Sequence, residues 1–172
     1  MTQLFSRTPH VPERYQRYID LIVEPDIFQA YRDQLNSTQI FLQSLSEGDS
    51  QRRYREEKWS VKQVIGHLID VERIFSLRLI RFSRGDVAHR DDWGFDKSHY
   101  VTAYSERFFD SVTQEFLLLR QANICAFGSL REDQGAIVGE SYQDKMDVWG
   151  LMYVLLGHER HHLNMIRDVY IS

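Results

Sequence analysis

Ser60-Val61-Lys62-Gln63-Val64-Ile65-Gly66-His67-Leu68-Ile69-Asp70-Val71 is the stretch whose reading decides how this chain folds. Ser60 followed three residues later by Gln63 is a capping box, which opens a helix. The apolar spacing that follows carries the helix to about Arg84, where Gly85 stops it. Val64, Leu68, Val71 and Phe75 mark its buried arc. His67 falls inside that arc, about 60° from Val64 and about 40° from Val71. An imidazole where periodicity asks for an apolar side chain is the first pointer to chemistry.

Working outward, the same 3.6-residue rhythm recurs on both sides. A short helix is expected from Pro12 to Leu21, with Tyr15, Tyr18, Ile19 and Ile22 on one side. Glu24-Pro25-Asp26 suits a helix start, because proline fits the first turn and acids favour the positive end of the helix dipole. Phe28, Tyr31, Leu35, Phe41, Leu42 and Leu45 form that helix's stripe, with Gly48 read as its C-terminal cap. Gln51 to Lys58 is a polar connection. Between Gly85 and Thr102 the periodicity breaks, and Asp91-Asp92-Trp93-Gly94-Phe95-Asp96 reads as a structured loop. So long a connection points to a crossing of the bundle. A third helix is expected from roughly Tyr104 to Phe127, burying Phe108, Val112, Phe116, Leu119 and Cys125. Gly128 to Tyr142 reads as loop with room for a short extended piece, and the last helix starts near Asp144. The expected architecture is all-α: a single domain, residues 1–172, built as a four-helix bundle with an additional short N-terminal helix.

Composition narrows the function classes. With 42% hydrophobic and 27% charged residues, the chain has the balance of a soluble globular domain. A net charge of −4 argues against binding nucleic acid through phosphate neutralisation. Met1 to Arg7 lacks the apolar core of a signal peptide, and the strongest apolar run, Leu151 to Leu156, is far too short to span a membrane. A lone cysteine, Cys125, forms no internal disulfide and reads as a buried structural thiol. These features fit a cytoplasmic protein. No phosphate-binding glycine loop or nucleophile elbow occurs. Arg73, Arg78, Arg81 and Arg84 alternate with Asp70, Glu72 and Asp86, the pattern of a solvated, salt-bridged face.

The second chemical signal is His158-Glu159-Arg160-His161-His162. Read as H-E-x-x-H, it sets His158 and His162 four residues apart on one helix face, the spacing at which two imidazoles grip one ion. A zinc protease would need a further ligand downstream. No Glu or His follows His162, and the longer protease pattern asks for Gly and His where Met165 and Asp168 stand. If an ion binds here, its third ligand is expected from earlier in the chain. The inner stripe of the last helix runs Leu151, Leu155, His158, His162, Met165, Val169, so these histidines, like His67, interrupt an apolar face. A single inward histidine is most often a hydrogen-bonded core residue. Three of them on two helices are more economically satisfied by one divalent ion, and three histidine ligands leave one position open. Gly66 and Gly157 each precede an inward histidine, consistent with close backbone approach. His161 suits an outer or surface role, and His10, His89 and His99 lie outside the periodic helices. Asp70, one turn after His67, is a candidate to orient an imidazole, with a plain surface acid the equal alternative. Glu159 is a candidate base by its motif, although its direction on the helix favours a surface ion pair.

Glu57-Lys58-Trp59-Ser60-Val61-Lys62-Gln63-Val64-Ile65-Gly66-His67-Leu68-Ile69-Asp70, with Glu72-Arg73, strongly resembles the opening of the second helix in the DinB/YfiT-like superfamily. Gly157-His158-Glu159 with His161-His162-Leu163 looks like its closing motif, and Tyr15, Tyr18, Ile19 and Gly94-Phe95-Asp96 resemble one bacterial branch. The resemblance implies an up-down-down-up bundle and a divalent ion, zinc or nickel, on His67, His158 and His162. It also implies enzymes that use a low-molecular-weight thiol to attack a small electrophile, or metal-dependent hydrolases, and it makes a homodimer an expectation. A non-catalytic metal-binding stress protein is the alternative from another class.

Overall fold

In the computed structural model, residues 9–88, 103–141 and 144–172 are described. A 3-10 turn, Glu13–Tyr15, leads into the short helix α1, Gln16–Ile19. Helix α2, Ile27–Gln43, starts where the Asp26 carboxylate accepts from the backbone N–H groups of Phe28 and Gln29. Helix α3, Glu47–Ser50, is a single turn with its own capping box, Ser46 and Asp49. Gly48 lies inside that turn; α2 itself ends at Gln43, so the glycine is not its cap. Helix α4, Val61–Ser83, opens with both halves of the Ser60–Gln63 box in place. It closes before Gly85, whose φ of 85° is a left-handed value that glycine adopts without a Cβ penalty.

Helix α5, Phe109–Phe127, begins five residues later than the pattern suggested. Its first amide, Phe109 N–H, donates to Glu47 of α3 at 2.7 Å, which substitutes for a local cap. A one-turn helix α6, Glu132–Gly135, precedes an antiparallel hairpin of β1, Val138–Ser141, and β2, Asp144–Asp147. The last helix, α7, Val148–Met165, therefore starts after a strand, and a π turn, Ile166–Tyr170, follows it. The hairpin is the one departure from an otherwise helical fold among the described residues. No helix among them is long and apolar enough to cross a membrane.

Contacts fix the helix directions. Lys62 Nζ donates to the Arg107 carbonyl at 2.6 Å, and further along, Glu72 meets Arg120 and Asn123, so α4 and α5 run parallel. Tyr31, Gln34 and Thr38 meet Met152, Leu156 and Glu159 in the same order, so α2 and α7 are parallel too. Between the pairs the order reverses: Tyr31, early in α2, packs on Phe127 at the end of α5, and along α4 Val64 lies by Met165 while His67 faces His158. The course is up-down-down-up, so α5 begins at the same end of the bundle as α4. Helix α1 lies on α7.

Candidate metal centre

Three imidazoles meet where α4 and α7 pack. The Nε2 atoms of His67 and His158 are 3.3 Å apart, and those of His158 and His162 are 3.1 Å apart. All three ligand atoms lie within 4.8 Å of one another, and no fourth protein ligand joins the group among the described residues. A tetrahedral ion with bonds of about 2.0–2.1 Å would hold its nitrogens roughly 3.3 Å apart, so the spacing fits. His67 and His158 are buried and His162 is partly exposed. Burial pushes the His158 imidazole well below its ordinary pKa, with the neighbouring His162 and His67 rings adding to the effect. A neutral ring keeps the lone pair that coordination needs.

What sets these rings in place differs from the sequence expectation. The outer nitrogen of His158, Nδ1, is buried without a hydrogen-bond partner among the described residues. Its orientation comes from packing: Tyr18 of α1 stands edge-on to His158 at 5.2 Å and to His161 at 5.6 Å. A Cβ on Gly157 would come within 2.0 Å of the Tyr18 carbonyl oxygen, so glycine is what lets the α1 backbone reach this place. Gly66 has a different neighbour. A Cβ there would meet the Tyr104 ring at 2.2 Å, and the Tyr104 hydroxyl donates to Asp70 Oδ1 at 2.8 Å. Close backbone approach is found at Gly157, against α1, whereas the close neighbour of Gly66 is the Tyr104 side chain. Trp59, just ahead of α4, lies tilted against His67 with ring centres 5.1 Å apart.

Asp70 is thus the partner of Tyr104. Its Oδ2 is buried with no hydrogen bond among the described residues, and burial raises its pKa. Glu159 does form an ion pair, but deep in the core and not at the surface. One of its oxygens accepts from Thr38 at 2.7 Å; the other accepts from Gln34 at 2.6 Å and faces Arg120 at 2.9 Å. Arg120 also donates to Glu72 at 2.7 Å, and Asn123 reaches the same carboxylate at 2.9 Å. All four long helices contribute to this cluster, which no reading of the sequence anticipated. Burial alone would lower the Arg120 pKa; the two carboxylates outweigh it and hold the guanidinium above its ordinary value. Burial raises Glu72, with Arg120 pulling the other way.

Cys125 is exposed on α5. The buried face there is Phe109, Val112, Thr113, Phe116, Leu117, Arg120, Asn123 and Phe127, and Phe108, expected inside, is 79% exposed. Reading apolar residues alone rotated the helix, because its inner stripe carries an arginine and an asparagine. Among the basic residues, Arg73 pairs with Glu115 and Arg81 with Asp86 at 3.0 Å, as a solvated face should, but Glu72, read as part of that face, is buried against Arg120. His10 is exposed, and His161 packs beside the centre without joining its ligand group. His89, His99 and the 91–96 loop lie outside the described residues.

The sequence profile of the DinB superfamily matches residues 30–166. Comparison with curated proteins finds no match. Among solved structures, the chain is similar to YfiT from Bacillus subtilis, described as a probable metal-dependent hydrolase with an unusual four-helix bundle topology. The two share 12% sequence identity with a TM-score of 0.69, over 96% of this chain and 91% of that one. Helix α1 and its Tyr18 fall outside the matched span of the superfamily profile.

Proposed function

Because the chain belongs to the DinB superfamily, we propose that it is a divalent-metal-dependent enzyme in which His67, His158 and His162 hold the ion and a low-molecular-weight thiol attacks a small electrophile. The observation that carries this reading is the convergence of three Nε2 atoms with no fourth protein ligand among the described residues. A purely structural site is normally closed by four protein groups, whereas three leave room for a reactant. Zinc and nickel both suit an all-imidazole set. A bound divalent ion lowers the pKa of a thiol or a water that reaches it.

The protein's own residues do the rest. His158 is kept neutral by burial, Tyr18 fixes its ring, and Trp59 covers His67. The sole cysteine is exposed on α5 and outside the ligand group, so the thiol comes from outside the protein. Glu159 is engaged by Arg120, Gln34 and Thr38 and serves the core. Hydrolysis by water at the same centre is the second reading, favoured by the description of YfiT.

Two measurements test the proposal. Metal analysis should find about one equivalent of zinc or nickel in the parent and little in His158→Ala; equal, negligible content in both would remove the site. A panel of thiols against a generic electrophile, with and without chelator, should show catalysis that chelation abolishes. Rates at the uncatalysed level for every thiol, beside ester turnover in thiol-free buffer, would replace transfer with hydrolysis.

A further inference from the structure

A cleft of about 320 Å³ lies beside His162, at the small end of the range for ligand pockets. Tyr54 and Tyr170 form one part of its wall, meeting edge to face at 4.9 Å. Trp59 forms another, and Met165 adds a polarizable thioether that adapts to flat ligands. Two of the three ion-holding imidazoles border this space: His162 lines it, and His67 backs Trp59.

Its polar groups are mostly donors. The hydroxyls of Tyr54 and Tyr170 make no hydrogen bond among the described residues, and Lys58 has no ion pair there. Lys58 is half-buried, so its charge acts through less water than that of Glu57, the one carboxylate on the lining among the described residues, which is exposed. Arg53, outside the lining, donates to the Lys58 carbonyl and acts as a nearby cation on the Tyr170 hydroxyl.

We propose that this cleft is the substrate site and that it takes a small, flat carboxylate. The planar apolar body would lie among Tyr54, Trp59 and Tyr170, and the carboxylate would meet Lys58 and the two phenolic hydroxyls. That leaves the reacting end toward His162. The proposal rests on the metal-enzyme reading for what happens next, but the binding step does not depend on it.

The test uses three probes that share a benzyl group, on the full chain: phenylacetate, benzyl alcohol and benzylamine, with binding followed by ligand-observed NMR. Each is titrated into metal-loaded and into chelated protein, and metal content is determined separately. Phenylacetate should bind about tenfold more tightly than either other probe, as one charge-assisted hydrogen bond allows. Lys58→Met should remove that preference and leave benzyl alcohol unchanged, and Tyr170→Phe should weaken phenylacetate several-fold. Equal binding of all three probes overturns the proposal. So does phenylacetate binding that survives Lys58→Met but disappears on chelation, since the carboxylate would then be ligating the ion. A Lys58-dependent preference that persists in chelated protein supports the cleft even if the centre proves to bind no metal.

Discussion

Arg120→Met breaks the charge cluster at the middle of the bundle. The Arg120, Glu72 and Glu159 side chains are each 1% exposed. One guanidinium faces two carboxylates, so its removal leaves two buried negative charges with only Asn123, Gln34 and Thr38 as donors. Breaking a buried pair in this way costs about 3–5 kcal/mol. Against a total stability of about 5–15 kcal/mol, that is a large share. The loss depends on pH in a definite direction. Burial already raises the Glu72 pKa, and Arg120 opposes that rise, so the variant's Glu72 is raised further. A carboxyl raised in the folded state contributes stability that is present at low pH and is lost as pH climbs through the folded value. Arg120→Met should therefore lose more, relative to the parent, at pH 8 than at pH 5 in urea denaturation. Adding Glu159→Gln should recover part of the loss at pH 8. A deficit below about 1 kcal/mol at pH 8, or one equal at both pH values, would refute the argument that this is an uncompensated buried charge.

Two further outcomes follow from particular contacts. Gly157→Ala places a Cβ against the Tyr18 carbonyl, where backbone has little room to yield; overpacking of this kind costs about 1–3 kcal/mol. Displacing Tyr18 should also weaken metal binding about tenfold or more in a competition titration, and unchanged affinity would show that Tyr18 does not set His158. Glu24 is held below its ordinary range by the hydrogen bond from Arg160. A lowered carboxyl stabilises above its unfolded pKa and loses that contribution as pH falls, so Glu24→Gln should flatten the acid limb of the stability profile. Because the pair is partly exposed, the effect at pH 7 should stay under about 1 kcal/mol by thermal unfolding.

The bundle and its three converging histidines were readable because their signals are local. Capping at Ser60 and Gln63, a stop at Gly85, and imidazoles in an apolar phase each involve neighbours on one helix. The buried charge cluster hid because polar residues were read as surface. Its signal was nonetheless present: Glu72 shares phase with Leu68 and Leu79, Arg120 with Phe116 and Phe127, and Glu159 with Leu155 and Leu163. Charges recurring in phase on three helices mark a shared interior. Ignoring them misplaced Cys125. The hairpin was legible only in part: an extended piece was expected within 128–142, where β1 lies, but β2 was read as the start of the last helix, since strands of four residues offer too little alternation to detect. Gly157 could be flagged in advance, but not its neighbour, because α1 and α7 are far apart in sequence.

His67 and His158 are separated by 91 residues. An ion shared between them would act on the polymer as a staple, closing a loop that spans the whole return course through α5 and the hairpin. The loop-closure relation for a crosslink of that length gives about 4–5 kcal/mol of lost freedom in the unfolded chain. Chelation should then do more than vacate a site: it would untie the α4–α7 seam and let the parallel helix pairs separate more readily.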